Sequence, residues 1–417
     1  MNDGFREHLF PPGHPRLAGL DRCDSYSYVD EARRNPIVAE LLSDWGKRFE
    51  TEDFRGITDD GAVIAGLFPL GCQENAPTAS AVTAAEQLLA ELTPRQRTAL
   101  GHPLDSRVWR AWMNPEFYVN RFGLRLEETD ARVRRRALRL VQTCLSPEGY
   151  AKVRDVMRVN GFLGELVGLP KILNEHSYNI NLFGVPSRDR PWGWNLYGHH
   201  LCLNCLLIGD QLVFTPVFFG AEPNCIDQGP YAGTVLFTAQ QQAGLNLIRS
   251  MPPELADEAV LFRRKRDPGL PPGRLHPGDE LHLGGAFQDN RIIGCEGLNM
   301  AGRPAALRAQ LLALADAFLD YLPAGPRSVR LDDVRRHLDR TWFCWIGGTT
   351  DADPFYYRIQ SPVVLIEFDH HAGVFLANSE PERFHVHTIV RTPNGNDYGA
   401  ELVRHATGAA HRLNGPA

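Results

Sequence analysis

The residues of this chain best suited by type and spacing to do chemistry are its histidines. There are fifteen, and from residue 199 onward several fall in pairs: His199–His200, His370–His371 and His385–His387, with His276 and His282 as looser singles. Neutral imidazole offers a ring nitrogen at physiological pH, which makes histidine the commonest metal ligand. If FHVHTIVR at 384–391 is a strand, His385, His387, Ile389 and Arg391 share one face, and Val386, Thr388 and Val390 take the other. With the apolar face packed inward, two imidazoles stand side by side over a cavity. Two ligands on one rigid strand are an economical way to hold metal geometry. Read the same way, GHHLCLNC at 198–205 puts His200, Cys202 and Asn204 on one face and His199 and Cys205 on the other. Only one of the adjacent histidines then points at the site. His200 is favoured unless Gly198 bends the strand.

Carboxylates and arginines near these histidines extend the set. In VVLIEFDHHAGVFL, Glu367 and Asp369 fall on the same face as Val363 and Leu365. A carboxylate in so apolar a run must be paired, protonated or bound to a cation, because an isolated buried charge is too costly. Glu367 is therefore expected as a fourth ligand, or as the acceptor that orients a ligand histidine. His370 and His371 precede Gly373 and read as turn residues. The turn-forming TPNGNDYG begins where the histidine strand ends and would overhang the site. Arg391 and Arg358 would clamp a substrate carboxylate or phosphate, or else form ion pairs with Glu367, Asp339 or Asp397. Asp397 and Tyr398 are the expected proton-transfer groups.

These residues need elements to position them. Residues 1–60 are polar and proline-bearing and read as an irregular lead-in. From about 75 to 165 the apolar spacing is helical, with Ser146 as N-cap and Pro147 at the first helical position of LSPEGYAKVRDVMRVNGFLGEL. After about 175 the chain turns to short β-rich runs separated by Gly, Pro and Asn, and IGDQ at 208–211 is a hairpin signal. Helices at 231–250, 304–321 and 330–339 are interleaved with these runs. The expected architecture is α+β: a helical part over 1–165 packed on a larger sheet-containing domain, mixed or antiparallel, over 166–417.

Bulk composition excludes some classes. The net charge of −6 and pI near 6.2 lack the footprint of a nucleic-acid binder, and RVRRRALRLV at 132–141 reads as a solvated helix face. No apolar run reaches the roughly 20 residues of a membrane span, and no basic start leads into an apolar h-region. Cytoplasmic residence is the default expectation. Eight scattered cysteines do not make a disulfide scaffold, and the single CxxC at Cys202–Cys205 lacks a second to complete a four-sulfur zinc site. GxSxG, Walker, HExxH and dinucleotide signatures are absent, so no nucleotide cofactor is expected.

Four segments in order, PWGWNLYGHHLCLN, LDRTWFCWIGG, YYRIQSPVVLIEF and HVHTIVRTPNGNDYG, resemble the signatures of the domain-of-unknown-function family DUF3500 over about residues 140–410. The resemblance implies that His199, His200, Asn204, Tyr357, Arg358, Gln360, Glu367, His385, His387, Arg391 and Asp397 belong to one site, and it assigns none of them a role. FDHHAG departs from the polar turn of many members, which argues against His370 or His371 as a family-wide ligand.

The expectation is a metal-dependent enzyme acting on a small polar or anionic substrate. His385, His387 and one of His199/His200 bind zinc, iron or copper rather than magnesium or calcium. The ion activates water for hydrolysis, Glu367, Asp397 and Tyr398 serve catalysis, and Arg358, Arg391, Tyr357, Gln360 and Asn204 bind substrate. A mononuclear iron or copper oxidoreductase and a non-catalytic ligand-binding protein are the alternatives. The helical half would cap the site or form a homodimer contact.

Overall fold

The β-rich runs pair into one sheet. In the computed structural model, which describes residues 4–408 and 412–417, thirteen strands join it. They are β1 (Gly101–His102), β2 (Leu124–Arg125), β3 (Tyr178–Phe183), β4 (Trp192–Gly198), β5 (Leu201–Ile208), β6 (Gln211–Val213), β7 (Val217–Ala221), β8 (Val260–Phe262), β9 (Leu298–Asn299), β10 (Trp342–Gly347), β11 (Phe355–Gln360), β12 (Leu365–His371) and β13 (Glu382–Arg391). The spatial order is β1-β3-β4-β5-β7-β13-β12-β11-β10-β8, with β2 on β3, β6 on β5 and β9 on β10. Only the β1–β3 and β8–β10 pairs are parallel. Two antiparallel meanders thus meet where β7 pairs with β13. That seam places His387 directly opposite Gly220 and, on the other side, opposite Asp369.

Among the described residues eleven α-helices accompany the sheet: α1 (Ser25–Ala32), α2 (Pro36–Thr51), α3 (Thr78–Glu91), α4 (Pro94–Leu100), α5 (Ala131–Thr143), α6 (Pro147–Leu166), α7 (Thr238–Ser250), α8 (Pro253–Ala259), α9 (Ala305–Phe318), α10 (Ala324–Arg336) and α11 (Ala400–Thr407). The α+β expectation holds. Ser146 caps α6 by accepting from Gly149 N, with Pro147 at its first position, and Ile208 pairs Gln211 around the expected two-residue hairpin. The lead-in is where the structure differs. Residues 25–51 form two helices, because Asp24 and Ser27 make a capping box and Asn35 caps a helix that begins with Pro36. Those local signals outweigh the polar composition.

Strand alternation divides the interior. Val386, Val390 and Phe219 look into a large apolar cluster shared with α3, α5, α6, α7 and α9, while Phe218 and Ile389 look into a second one with Trp45, Trp109 and Trp112. The first cluster runs from Phe5 to Val390, on both sides of residue 165. All eight cysteines are free thiols. Among the described residues no helix is long and apolar enough to cross a membrane.

Candidate metal centre

β13 delivers the two histidines as its alternation requires. His385 and His387 project from the face that also carries Ile389 and Arg391, and their Nε2 atoms lie 3.2 Å apart. His200 completes the group, at 3.1 Å from His387 Nε2 and 3.4 Å from His385 Nε2. It arrives by a different route from the one expected. His199 and His200 are not strand residues but the two-residue turn joining β4 to β5, where Gly198 pairs Leu201, and His200 has a φ of 60°. A left-handed conformation is uncommon for a non-glycine residue, so alternation could not place it. The turn is held by His200 N donating to Asn114 O and Gly220 N donating to His200 O.

The arrangement is what a cation, rather than protons, would stabilise. His385 Nδ1 donates to Ala372 O at 2.7 Å, which leaves its Nε2 as a bare lone pair aimed at the other two. Burial holds the His200 and His387 imidazoles well below their usual range, each further lowered by the neighbouring histidines. Three buried imidazole nitrogens converging on one point could hold a metal ion. Tetrahedral ligation with zinc–nitrogen bonds of about 2.0–2.1 Å separates ligand nitrogens by about 3.3 Å, close to the three distances here. Gly220 is necessary to this: a Cβ there would lie 2.9 Å from His200 Cδ2 and 3.0 Å from His387 Cδ2.

The surroundings hold His200 and His385 in place. His199 stacks on His200 with ring centroids 3.8 Å apart, and its Nδ1 donates to Asn160 Oδ1 at 2.8 Å. Burial lowers its pKa to about 3. The segment 372–376, whose Ala372 carbonyl orients His385, is gripped by two carboxylates. Glu222 accepts from the backbone N–H groups of Val374, Phe375 and Leu376, and Glu280 accepts from Ala372 N at 2.9 Å. His200 and His387 open onto a cavity of about 530 Å³, which His199 and His371 also line. The group of three donors thus has one side open to a ligand-sized space.

The family model of DUF3500, a protein of unknown function, matches residues 74–400. The chain belongs to DUF3500. No curated protein and no solved structure matches it. All three histidines of this DUF3500 chain lie within the matched region, whereas α1, α2 and the segment before them, which wall the cavity, precede it.

Apart from His199, which lines the cavity, the other residues implied as one site in the DUF3500 chain fall into separate networks and do not line it. Glu367 does not reach the histidine group. It accepts from Tyr356 Oη at 2.6 Å and from Leu283 N and Gly284 N, so the buried charge is satisfied by a loop. Arg391 pairs with Asp289 at 2.7 Å and Asp397 at 3.1 Å; Tyr398 Oη donates to Asp289. Burial raises the Asp397 carboxyl to about 6 despite Arg391. Arg358 pairs with Glu296 at 2.8 Å, Gln360 donates to Ile293 O, Tyr357 donates to Gln240 O and Asn204 donates to Pro216 O. The TPNGN loop does not overhang the histidines. It leaves the far end of β13, where Asn394 N donates to Ile57 O.

His371 is the residue near the site that the turn reading passed over. It ends β12, its ring centroid is 3.7 Å from that of His387, and its Nε2 stands 3.2 Å from Asp369 Oδ2. Asp369 is raised to about 7 by burial, a rise that Lys265 partly offsets. Continuing the alternation of Leu365, Glu367 and Asp369 by one step would have found His371. His282, with both ring nitrogens buried and unpartnered, lies 6.0 Å from His371 and 6.2 Å from His387, centroid to centroid; no local pattern marks it. His370 points the other way, accepting from Phe355 N at 3.0 Å.

Proposed function

We propose that this DUF3500 protein is a zinc-dependent hydrolase of a small polar or anionic substrate, with His200, His385 and His387 as ligands. The observation that carries this reading is the convergence of three buried Nε2 atoms within 3.1–3.4 Å of one another at the floor of a cavity. An all-imidazole set with an open position suits zinc, which would lower the pKa of a bound water to about 7 and so supply a nucleophile at neutral pH. The protein's part is to hold the three Nε2 atoms together, to set the tautomer of His385 through Ala372 O, and to place the site at the floor of a walled cavity. The same donor set also suits copper. The two-histidine, one-carboxylate triad of iron oxygenases is a poorer match, because the carboxylate nearest to His385, that of Glu222, lies 3.9 Å from Nδ1, the nitrogen facing away from the group.

The test is elemental analysis of untagged protein beside a His385→Ala/His387→Ala variant. One equivalent of zinc, lost in the variant, is the expected result, and assays then go to small amides, esters and lactones. Copper or iron in that position redirects the assays to oxygen chemistry. If neither sample holds metal and added metals do not shift the parent's Tm, the reading fails.

A further inference from the structure

The cavity has walls of two origins. Its floor, with His200, His371 and His387, comes from the region matched by the DUF3500 family, whereas its roof comes from residues 15–41, which precede that region. The roof is largely apolar: Leu17, Leu20, Val38 and Leu41 face the space, and Ile37 does so while 62% exposed.

Most of the charged groups lining the cavity have partners. Glu31 pairs with Arg34, and Glu280 with Lys265 and Arg266. Glu116 accepts from Tyr28 Oη at 2.5 Å and is pushed upward by burial, an effect that the field of Arg16 partly offsets. Arg266 also reaches Glu380. Arg16 is the one cation among the described residues lining the cavity that has no carboxylate partner. Its Nε donates to Val374 O at 3.1 Å, which anchors the guanidinium to the segment gripped by Glu222, and its two terminal nitrogens have no protein partner among the described residues. A guanidinium presents such nitrogens as a fork matched to a carboxylate or a phosphate, and against an apolar roof the singly charged carboxylate is the less costly of the two to desolvate.

We propose that this cavity takes a small amphipathic carboxylate, its carboxylate on Arg16, its apolar body along the roof formed by residues 15–41, and its reacting group over the three histidines. The assignment rests on the metal reading above. Sequence variation in the roof would then change the substrate while leaving the metal floor intact.

The test uses the full-length zinc-loaded protein and two-ended probes: sulfanyl carboxylates of graded length, from 3-sulfanylpropanoate to 11-sulfanylundecanoate, each compared with its sulfanyl alcohol by calorimetry. A thiolate is a zinc ligand, so the far end of each probe reports what the roof recognises. At one chain length the acid is expected to bind about tenfold more tightly than the alcohol. In Arg16→Gln, with zinc content measured in the same sample, that ratio should fall to near one. Equal binding of acid and alcohol at every length, or a preference that survives in Arg16→Gln, overturns the assignment while leaving the metal reading in place. A parent protein that neither holds nor takes up zinc overturns both.

Discussion

Each imidazole of the His200, His385 and His387 group is valuable through its geometry more than its chemistry. Alanine at any one of them should cost more zinc affinity than the roughly 100-fold that follows loss of an outer hydrogen-bond partner, read by competition with a chelator. Gly220→Ala makes a sharper test, because it removes no ligand. Its Cβ would press on His200 and His387 at 2.9 and 3.0 Å and on the Val386 carbonyl oxygen at 3.1 Å, so overpacking of about 1–3 kcal/mol should appear together with weakened zinc binding. Unchanged affinity in Gly220→Ala would mean that the three rings do not act as a unit. Asp279 offers a titration test apart from the ligands. Its carboxyl oxygens are buried without a hydrogen-bond partner, and burial raises its pKa from 3.8 to about 7. The folded state therefore keeps a proton that the unfolded chain gives up. The stability this contributes is complete below about pH 4 and is lost as pH rises through 7, at no more than about 1.4 kcal/mol per pH unit. Asp279→Asn, which cannot ionise, should gain on the parent in denaturant melts from pH 4 to pH 7 and hold a constant advantage above that.

At the scale of elements, the site is built where a turn, a strand and a clamped segment meet at one seam. The pair on β13 was legible because a strand has period two and needs no partner to declare its faces. His200 was the right residue reached through the wrong geometry: its position depends on a left-handed turn conformation held by Asn114 and Gly220, contacts far away in the chain. Glu222 is the clearest case of an element serving the site from outside it. Its carboxylate gathers three backbone N–H groups of 374–376 and so fixes the Ala372 carbonyl that orients His385. Glu222→Gln keeps the shape but replaces one of the carboxylate's oxygen acceptors with an N–H donor, which cannot accept from these backbone N–H groups. It should destabilise the fold by about 1–3 kcal/mol and weaken zinc binding about tenfold, measured by denaturation and chelator competition. Full zinc affinity in a destabilised Glu222→Gln would confine that residue to holding the segment.

For the whole molecule, a metal at the seam would tie together the two antiparallel meanders, since His200 belongs to one and His385 and His387 to the other. Zinc at about 100 times its Kd should therefore add about 2.7 kcal/mol. For a chain of this length that is a rise of about 3 °C in Tm, reversed by chelation and absent in the His385→Ala/His387→Ala variant. A parent whose Tm ignores both zinc and chelator would count against the centre.

The α+β class, the α6 cap, the Ile208–Gln211 hairpin and the paired faces of β13 all follow from patterns a few residues long, because backbone periodicity and capping are local effects. The arginines show where such patterns stop. Whether Arg391 and Arg358 hold substrate or structure depends on Asp289 and Glu296, which lie 102 and 62 residues away, and a charge buried in a strand looks the same locally in either case. The same limit scattered the residues implied as one site into separate networks, brought His371 and His282 beside the group, and laid α1 and α2 over the cavity. Which donors converge is a property of the sheet order, and that order is set by packing across the entire chain rather than by any stretch of it.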